Sequence, residues 1–188
     1  TGELMYVDKN NDGFINASDR GYIGDPNPDF TYGMTNYFSF KNFNLSVLLQ
    51  GTYGNDIFNV SRIESEGMYD AKNQSKRILE RWRRPGMVST IPKAGYDMKI
   101  SSYFVEDGSY LRIKDITLSY DFSMNWMKKL GITRLQPYAT VTNLFTFTKY
   151  LGFDPEVNQW GNSGNVQGMD YGTYPQTRSF IFGVNVDI

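Results

Sequence analysis

Almost no charge occurs in one stretch of this sequence, and this limits what the chain can fold into. Lys41 is the single charged residue between Phe30 and Asn55. On both sides of it apolar and small polar residues alternate over about ten positions, which is the period of a β-strand. We therefore predict a β-hairpin of strands 30–40 and 43–53. Charge confined to the turn favours a hairpin that faces lipid, because a basic residue at mid-bilayer costs about 2–4 kcal/mol.

A hairpin buried in a soluble β-sandwich is the competing interpretation. The outer face of a sandwich strand tolerates charge, whereas neither face of this hairpin carries any. The lipid interpretation predicts that alternate residues of the second strand contact lipid. These residues are Phe43, Leu45, Val47 and Leu49.

The same alternation predicts three further strands, at residues 110–122, 135–147 and 177–188. The connections between the five strands differ greatly in length. Bacterial outer-membrane barrels have long extracellular loops and short periplasmic turns. We therefore expect the turn at Lys41, the connector 123–133 and the C-terminus to be periplasmic. Three long segments are expected to be extracellular: residues 1–29, 54–109 and 149–176.

Five strands are too few to close a membrane barrel, since the smallest barrels have about eight. An open strand edge in the bilayer leaves backbone N–H and C=O groups without partners, at a large energetic cost. We therefore expect an all-β fold: the C-terminal five strands of a transmembrane antiparallel β-barrel. We expect strands outside this sequence to complete the barrel and outer-membrane lipid to surround it.

Composition excludes several classes of function. The sequence has no His and no Cys, so imidazole or thiolate metal sites and Ser-His-Asp triads cannot form within it. A net charge of −1 without a long basic run gives nucleic acid no electrostatic footprint. Asp154 and Glu156 are two residues apart in one loop, which is a poor arrangement for glycoside hydrolysis. We predict that the chain is not an enzyme.

One helix is predicted within the second long segment. It spans residues 70–84, with Asp70 as its N-cap and Pro85-Gly86 as its end. Its apolar stripe is narrow, formed by Ile78, Leu79 and Trp82. The rest of its surface is basic, with Lys72, Lys76, Arg77, Arg81, Arg83 and Arg84. This pattern is typical of a helix with a solvated cationic face; contact with an anionic headgroup or partner is the alternative.

The first long segment has the spacing of a calcium-binding loop, with oxygen-bearing residues at alternate positions and Gly13 at the sharp turn. The predicted Ca²⁺ ligands are Asp8, Asn10, Asp12, the Phe14 carbonyl, Asn16 and Asp19. The last position is Asp rather than Glu, so its reach is shorter. The flanks show no helix pair. The alternative is a loop held by Asx-turn hydrogen bonds of its own side chains.

The third long segment combines aromatic residues with amides and carboxylates, which suits sugar or peptide substrates. The predicted substrate-binding residues are Trp160, Tyr171, Tyr174, Asp154 and Asn158. Tyr and Trp also form the interfacial girdles of membrane barrels. Both interpretations stay open at this point.

Several runs of residues, in this order, carry a family resemblance. They are Asp8–Ile15, Asp19-Arg20, Tyr22–Gly33, Arg81-Trp82 with Ile91–Lys93, Gly108–Tyr120, Asn143–Tyr150 with Gly152–Glu156, and Tyr174–Gly183. Together they resemble the C-terminal region of SusC/RagA-type TonB-dependent transporters of Bacteroidetes. The resemblance covers essentially the whole chain. One departure is the final residue, Ile188, where such barrels usually end in an aromatic residue.

The resemblance implies a fold and a set of partners. The fold is a 22-stranded barrel with an N-terminal plug, in the outer membrane of a Gram-negative bacterium. A SusD-like lipoprotein caps the barrel outside, and TonB energises it through an N-terminal part that this sequence lacks. The implied function is the import of glycans or oligopeptides. A TonB-dependent receptor for siderophores or haem and a soluble β-sandwich that binds glycans are the alternatives.

Overall fold

The computed structural model describes residues 1–122, 127, 131–157 and 167–188. The chain divides into two compact units. One, which we call the strand unit, comprises residues 28–55, 108–150 and 174–188. The other, the loop unit, comprises residues 1–27, 56–107 and 151–173.

Strands dominate the described residues. The elements are, in chain order, β1 Phe30–Phe40, β2 Phe43–Tyr53, β3 Asp56–Asn59, α1 Val60–Glu66, β4 Val105–Asp107, β5 Tyr110–Tyr120, β6 Arg134–Thr148, β7 Met169–Asp170 and β8 Ser179–Asp187. Short 3-10 turns occur at Ala17–Asp19, Lys76–Glu80 and Ser102–Phe104. No helix in the described part of the chain is long and apolar enough to cross a membrane.

The strand unit is a single antiparallel sheet with the order β1-β2-β5-β6-β8. The five predicted strands are confirmed, and each pairs with the next one predicted along the chain. Several boundaries of β5, β6 and β8 differ by one or two residues from prediction. β5 ends at Tyr120, after which Phe122 forms an isolated bridge to Leu135. β8 begins at Ser179 rather than at residue 177.

A two-residue turn joins β1 to β2, with Phe40 opposite Phe43. Lys41 has a φ of 54°, in the left-handed region that tight hairpin turns use. The turn is fastened to the end of β5, because Asp121 N donates to Asn42 O at 2.8 Å. The lone charge of the hairpin therefore lies at its end, as the sequence predicts.

The pairing register gives the sheet one apolar face. Along one lateral row, Leu45 lies opposite Phe38 and Leu118, and Ala139 lies opposite Phe182. Most aromatic residues of this face are exposed; Phe182 is 79% exposed and Phe40 72% exposed. The opposite face is mostly polar. It presents Thr31, Thr35, Ser39, Asn44, Ser46, Gln50, Thr117, Ser119, Gln136, Thr140 and Asn185.

A β-bulge keeps charge off the apolar face of β5. Strict alternation places residues two apart on the same face, so Asp115 would share the face of Ile113, and Ile116 would lie on the other. At Lys114 the pairing shifts register with both neighbouring strands, β2 and β6, so that Ile113 and Ile116 share a face. Asn143 on the neighbouring strand β6 has a φ of 50° beside this irregularity. The bulge thus turns the Asp115 side chain to the polar face.

The loop unit contains a small mixed sheet with the order β4-β3-β7. β3 pairs antiparallel with β4 and parallel with β7. Helix α1 follows β3 directly and is capped by the Asn59 side chain, which accepts from Arg62 N. The apolar core of the loop unit is formed by three residues that are fully or almost fully buried, Ile57, Ile91 and Phe104.

The helix predicted at residues 70–84 is wrong. Asp70 is not a helix N-cap; its carboxylate accepts from Lys72 N in a local turn. Only Lys76–Glu80 is helical, as a 3-10 turn capped by the Ser75 side chain. Extended backbone follows, because Trp82 N donates to Ile91 O at 2.9 Å instead of to a carbonyl of its own turn. Tertiary pairing overrides local helix propensity here.

Candidate functional site

Hydrogen-bonding side chains pair across the strands on the polar face of the sheet. Thr117 and Thr140 place their hydroxyls 2.8 Å apart, and the Thr117 hydroxyl also donates to the Asp115 carboxylate at 3.0 Å. Arg112 is buried, and its Nε donates to the Thr146 hydroxyl at 2.9 Å. Such a face offers water and polar ligands many donors and acceptors, whereas the opposite face offers almost none.

A polar cluster closes the end of the sheet where the short turn lies. The Asp121 carboxylate accepts from Arg134 Nε at 3.0 Å, Asn44 Nδ2 at 2.7 Å and Gln136 Nε2 at 3.0 Å. The hydrogen bond from Arg134 is the main cause that lowers the pKa of Asp121 below its usual value. The ionised Asp121 carboxylate therefore stabilises the fold above the ordinary carboxyl pKa, and this stabilisation is lost as pH falls through the lowered pKa of Asp121.

A buried charge network organises the loop unit. The Arg62 guanidinium pairs with Glu66 at 3.1 Å and with Glu106 at 2.8 Å. Arg77 adds a second cation to Glu66 at 2.7 Å. The guanidinium of Arg62 also lies over the Tyr103 ring, at 4.8 Å. Burial is the main cause that raises the pKa of the Tyr103 hydroxyl. Arg62 and Glu66 have helical i, i+4 spacing, a signal that the sequence offered and our predictions missed.

The predicted calcium loop is organised by its own hydrogen bonds. The Asp8 carboxylate accepts from Gly13 N at 2.8 Å and Asp12 accepts from Phe14 N at 2.8 Å. Asp19 accepts from Asn16 N at 2.7 Å and Lys9 N at 2.9 Å, and these two bonds lower its pKa.

The oxygen donors of this loop suit Ca²⁺ by type, and Asn10 Nδ2 and Asn16 Nδ2 both donate to the Asp12 carboxylate. Among the described residues no three acidic side chains are arranged to hold a metal ion. The local hydrogen bonds are those expected of the Asx-turn alternative. Calcium binding by the loop stays a prediction.

The predicted substrate-binding residues are distributed over both units. Tyr171, in the loop unit, and Tyr174, in the strand unit, are both exposed. Asp154 is buried and its carboxylate accepts from Glu156 N at 2.9 Å, so it shapes its own loop. Asn158 and Trp160 lie outside the described residues.

A small apolar cleft of about 210 Å³ lies within the loop unit. Its walls include Ile23, Phe58, Ile100 and Val105. The Asp56 carboxylate is also at the cleft and accepts from Asp25 N at 2.9 Å. Sequence reasoning missed this cleft, because its walls come from segments far apart along the chain.

Curated relatives match nearly the whole chain. The TonB-dependent receptor P3 of Formosa agariphila is 35% identical over 98% of the chain, and TonB-dependent receptor SusC of Bacteroides thetaiotaomicron is 29% identical over 98%. These matches correspond to 19% and 17% of the relatives' lengths. The chain therefore spans about a fifth of the length of the curated relatives it matches. No family model matches the sequence.

Solved structures of RagAB show the same fold. A structure of the RagAB peptide transporter superposes with a TM-score of 0.78 at 23% identity, covering 92% of this chain and 19% of that chain. The RagAB peptide importer in its open-open state gives a TM-score of 0.74 at 24% identity, covering 86% of this chain and 17% of that one. The five-stranded sheet is thus a fold already seen within a much longer chain.

Proposed function

Because this chain belongs to the SusC/RagA family of TonB-dependent outer-membrane receptors, we propose that it is part of a nutrient importer. In this proposal the strand unit forms one arc of the barrel wall. The imported cargo is a glycan or an oligopeptide. The relatives are receptors by name, and the chain contributes binding and passage rather than bond-breaking chemistry.

The observation that carries this proposal is the difference between the two faces of the sheet. Five strands present one row after another of apolar side chains, and the aromatic ones are largely exposed. Soluble monomers rarely expose apolar patches larger than a few hundred Å². Membrane barrels alternate apolar residues facing lipid with polar residues facing the lumen. The apolar face therefore contacts lipid, and the hydrogen-bonding face lines the passage.

The free edges of the two outer strands support the proposal that the sheet is part of a larger barrel. β1 pairs only with β2, and β8 pairs only with β6, among the described strands. Each keeps one free edge, which must be paired if it lies in a bilayer. Further barrel strands supply this pairing. The same family relationship suggests a SusD-like lipoprotein at the outer side and TonB at the inner side.

Two exposed tyrosines contribute to cargo capture in this proposal. Tyr171 of the loop unit and Tyr174 of the strand unit each offer an aromatic face to a sugar ring or a peptide side chain. Asp154 shapes its own loop, since it is buried and its carboxylate accepts from Glu156 N. The Arg62 network gives the surrounding segments a rigid base.

Uptake by cells tests this function. A strain without the full-length receptor is grown with a mixture of oligosaccharides or a mixture of peptides as its sole carbon source. Growth on one mixture should return with the intact receptor and should require TonB. Tyr171→Ala with Tyr174→Ala should slow this growth. Tyr22→Ala, at a fully exposed tyrosine elsewhere in the chain, serves as the control.

The same strain distinguishes the alternatives. Growth that depends on the receptor only when iron is scarce would identify a siderophore or haem receptor instead. Purification of the receptor from the membrane should also recover a lipoprotein partner. Receptor recovered without detergent from the soluble fraction would contradict the importer.

A further inference from the structure

An exposed turn in the loop unit carries two arginines that the proposed import function does not use. Met87 N donates to Arg84 O at 3.1 Å, with Pro85 and Gly86 between them. Gly86 has a φ of +85°, as the third residue of a type II turn requires. The Trp82 N to Ile91 O bond closes the base of this turn. We call residues 83–88 the basic tip.

The cations of the loop unit differ in their partners. Lys72 pairs with Glu64 at 2.5 Å, and Lys93 pairs with Glu3 at 2.5 Å. Arg83 and Arg84 have no carboxylate partner among the described residues. Both are exposed. The tip therefore carries positive charge that its own unit does not neutralise.

The Arg83 side chain is held in place while most of its donors stay free. Its Nη2 donates to Leu79 O at 2.7 Å, at the end of the 3-10 turn. A guanidinium has five N–H donors in a fixed plane, so four remain. Because the side chain is already ordered, binding an anion costs less conformational entropy.

Apolar residues accompany these arginines into solvent. Val88 at the tip is 97% exposed, and Leu79 next to it in the 3-10 turn is 64% exposed. Exposed apolar side chains beside arginines are the composition that binds a membrane interface. A soluble acidic polymer would pair with the arginines but would leave Val88 in water.

We propose that the basic tip binds a phosphate-bearing lipid headgroup at the surface of the outer membrane. Arg83 and Arg84 pair with the phosphate, and Val88 enters the boundary between headgroups and acyl chains. The outer-membrane location comes from the family, and the lipid assignment comes from the combination of free arginines with exposed Val88. The contact would tether this exposed turn to the bilayer.

Lipid titration of the full-length receptor in detergent tests the proposal, with native mass spectrometry as the readout. The probes are monophosphoryl lipid A and the same lipid without its phosphate. The double variant Arg83→Gln/Arg84→Gln should bind the phosphorylated lipid about 25-fold more weakly, roughly fivefold for each basic residue near an anionic lipid. Val88→Ser should weaken it about fourfold, the loss expected for removing one small apolar contact.

The matched control is Lys72→Gln/Lys93→Gln, which removes the same charge from cations that are already paired. It should change lipid affinity less than about twofold. Equal losses in the two double variants would overturn the proposal, and so would equal affinity for the two lipids. An unchanged affinity of Val88→Ser would identify a site for soluble anions rather than lipid. Heat-dependent migration on gels confirms that each variant is folded.

Discussion

Three polar groups converge on the Glu106 carboxylate in the loop unit. Arg62 Nη1 and Asn59 Nδ2 donate to one oxygen, at 2.8 and 3.2 Å, and Leu151 N donates to the other at 2.8 Å. One side chain thereby connects α1 and β3 to the start of the third long segment. Removing one partner from a buried ion pair leaves an uncompensated charge, which is far more costly than losing a surface pair.

Glu106→Gln should therefore loosen the loop unit. We expect the free energy of local opening around α1 to fall by about 3 kcal/mol. Hydrogen exchange of residues 56–66 and 105–107 in the full-length receptor measures it. The control is Glu64→Gln, which removes an exposed pair with Lys72 and should cost less than about 1 kcal/mol. Similar losses in the two variants would show that burial of the network contributes little.

The Asp8–Asp19 loop gives a second prediction for single residues. Ca²⁺ should slow proteolysis within residues 1–29 of the full-length receptor, because bound metal stabilises only the ordered loop. Asp12→Ala should abolish this protection and Ser18→Ala should keep it, since only the backbone of Ser18 is used in the loop. The lowered pKa of Asp19 means that this one predicted ligand stays ionised as pH falls to the ordinary carboxyl pKa. If Ca²⁺ changes nothing, the loop is held by its hydrogen bonds alone.

At the scale of elements, long β-strands could be predicted and short pieces could not. β1, β2, β6 and β8 each repeat an alternating pattern over nine or more residues, which fixes both the strand and its faces. β3 and β7 have four and two residues, too few for any pattern to appear. Their parallel pairing joins segments more than a hundred residues apart. The bulge in β5 was hidden because it interrupts the very alternation that identified the strand.

The faces of β2 give the prediction at this scale. Val47 lies opposite Ile116 and faces the apolar side, whereas the adjacent Ser46 lies opposite Thr117. Val47→Lys should destabilise the full-length barrel by about 2–4 kcal/mol, because a lysine at mid-bilayer must leave water. Ser46→Lys should cost less than about 1 kcal/mol, because lumen substitutions keep their charge in water. Urea unfolding in lipid vesicles measures both. Equal costs would mean that the apolar face does not contact lipid.

At the scale of the whole molecule, membership of the family and the arc of five strands could be predicted, whereas the loop unit could not. The positions of charged residues and the lengths of the connections can be read directly from the sequence, without knowledge of tertiary contacts. Arg62, Glu66 and Glu106 become a network only when distant segments meet. The burial of Asp154 could not be predicted either, because a carboxylate in a polar loop gives no sign from sequence of whether it is buried.

Whether residues 1–188 fold on their own is the property of the whole molecule that experiment can decide most directly. Residues 1–188 expressed alone expose the apolar face of the sheet and leave both outer strands with a free edge. We expect this polypeptide to aggregate without detergent, since exposed apolar surface and unpaired edges both drive association. The full-length receptor in detergent should instead migrate as a compact, heat-sensitive barrel. Size-exclusion chromatography and circular dichroism of the two proteins make the comparison. A folded monomer of residues 1–188 in plain buffer would contradict both the barrel arc and the importer, because a sheet stable in water needs neither lipid nor further strands.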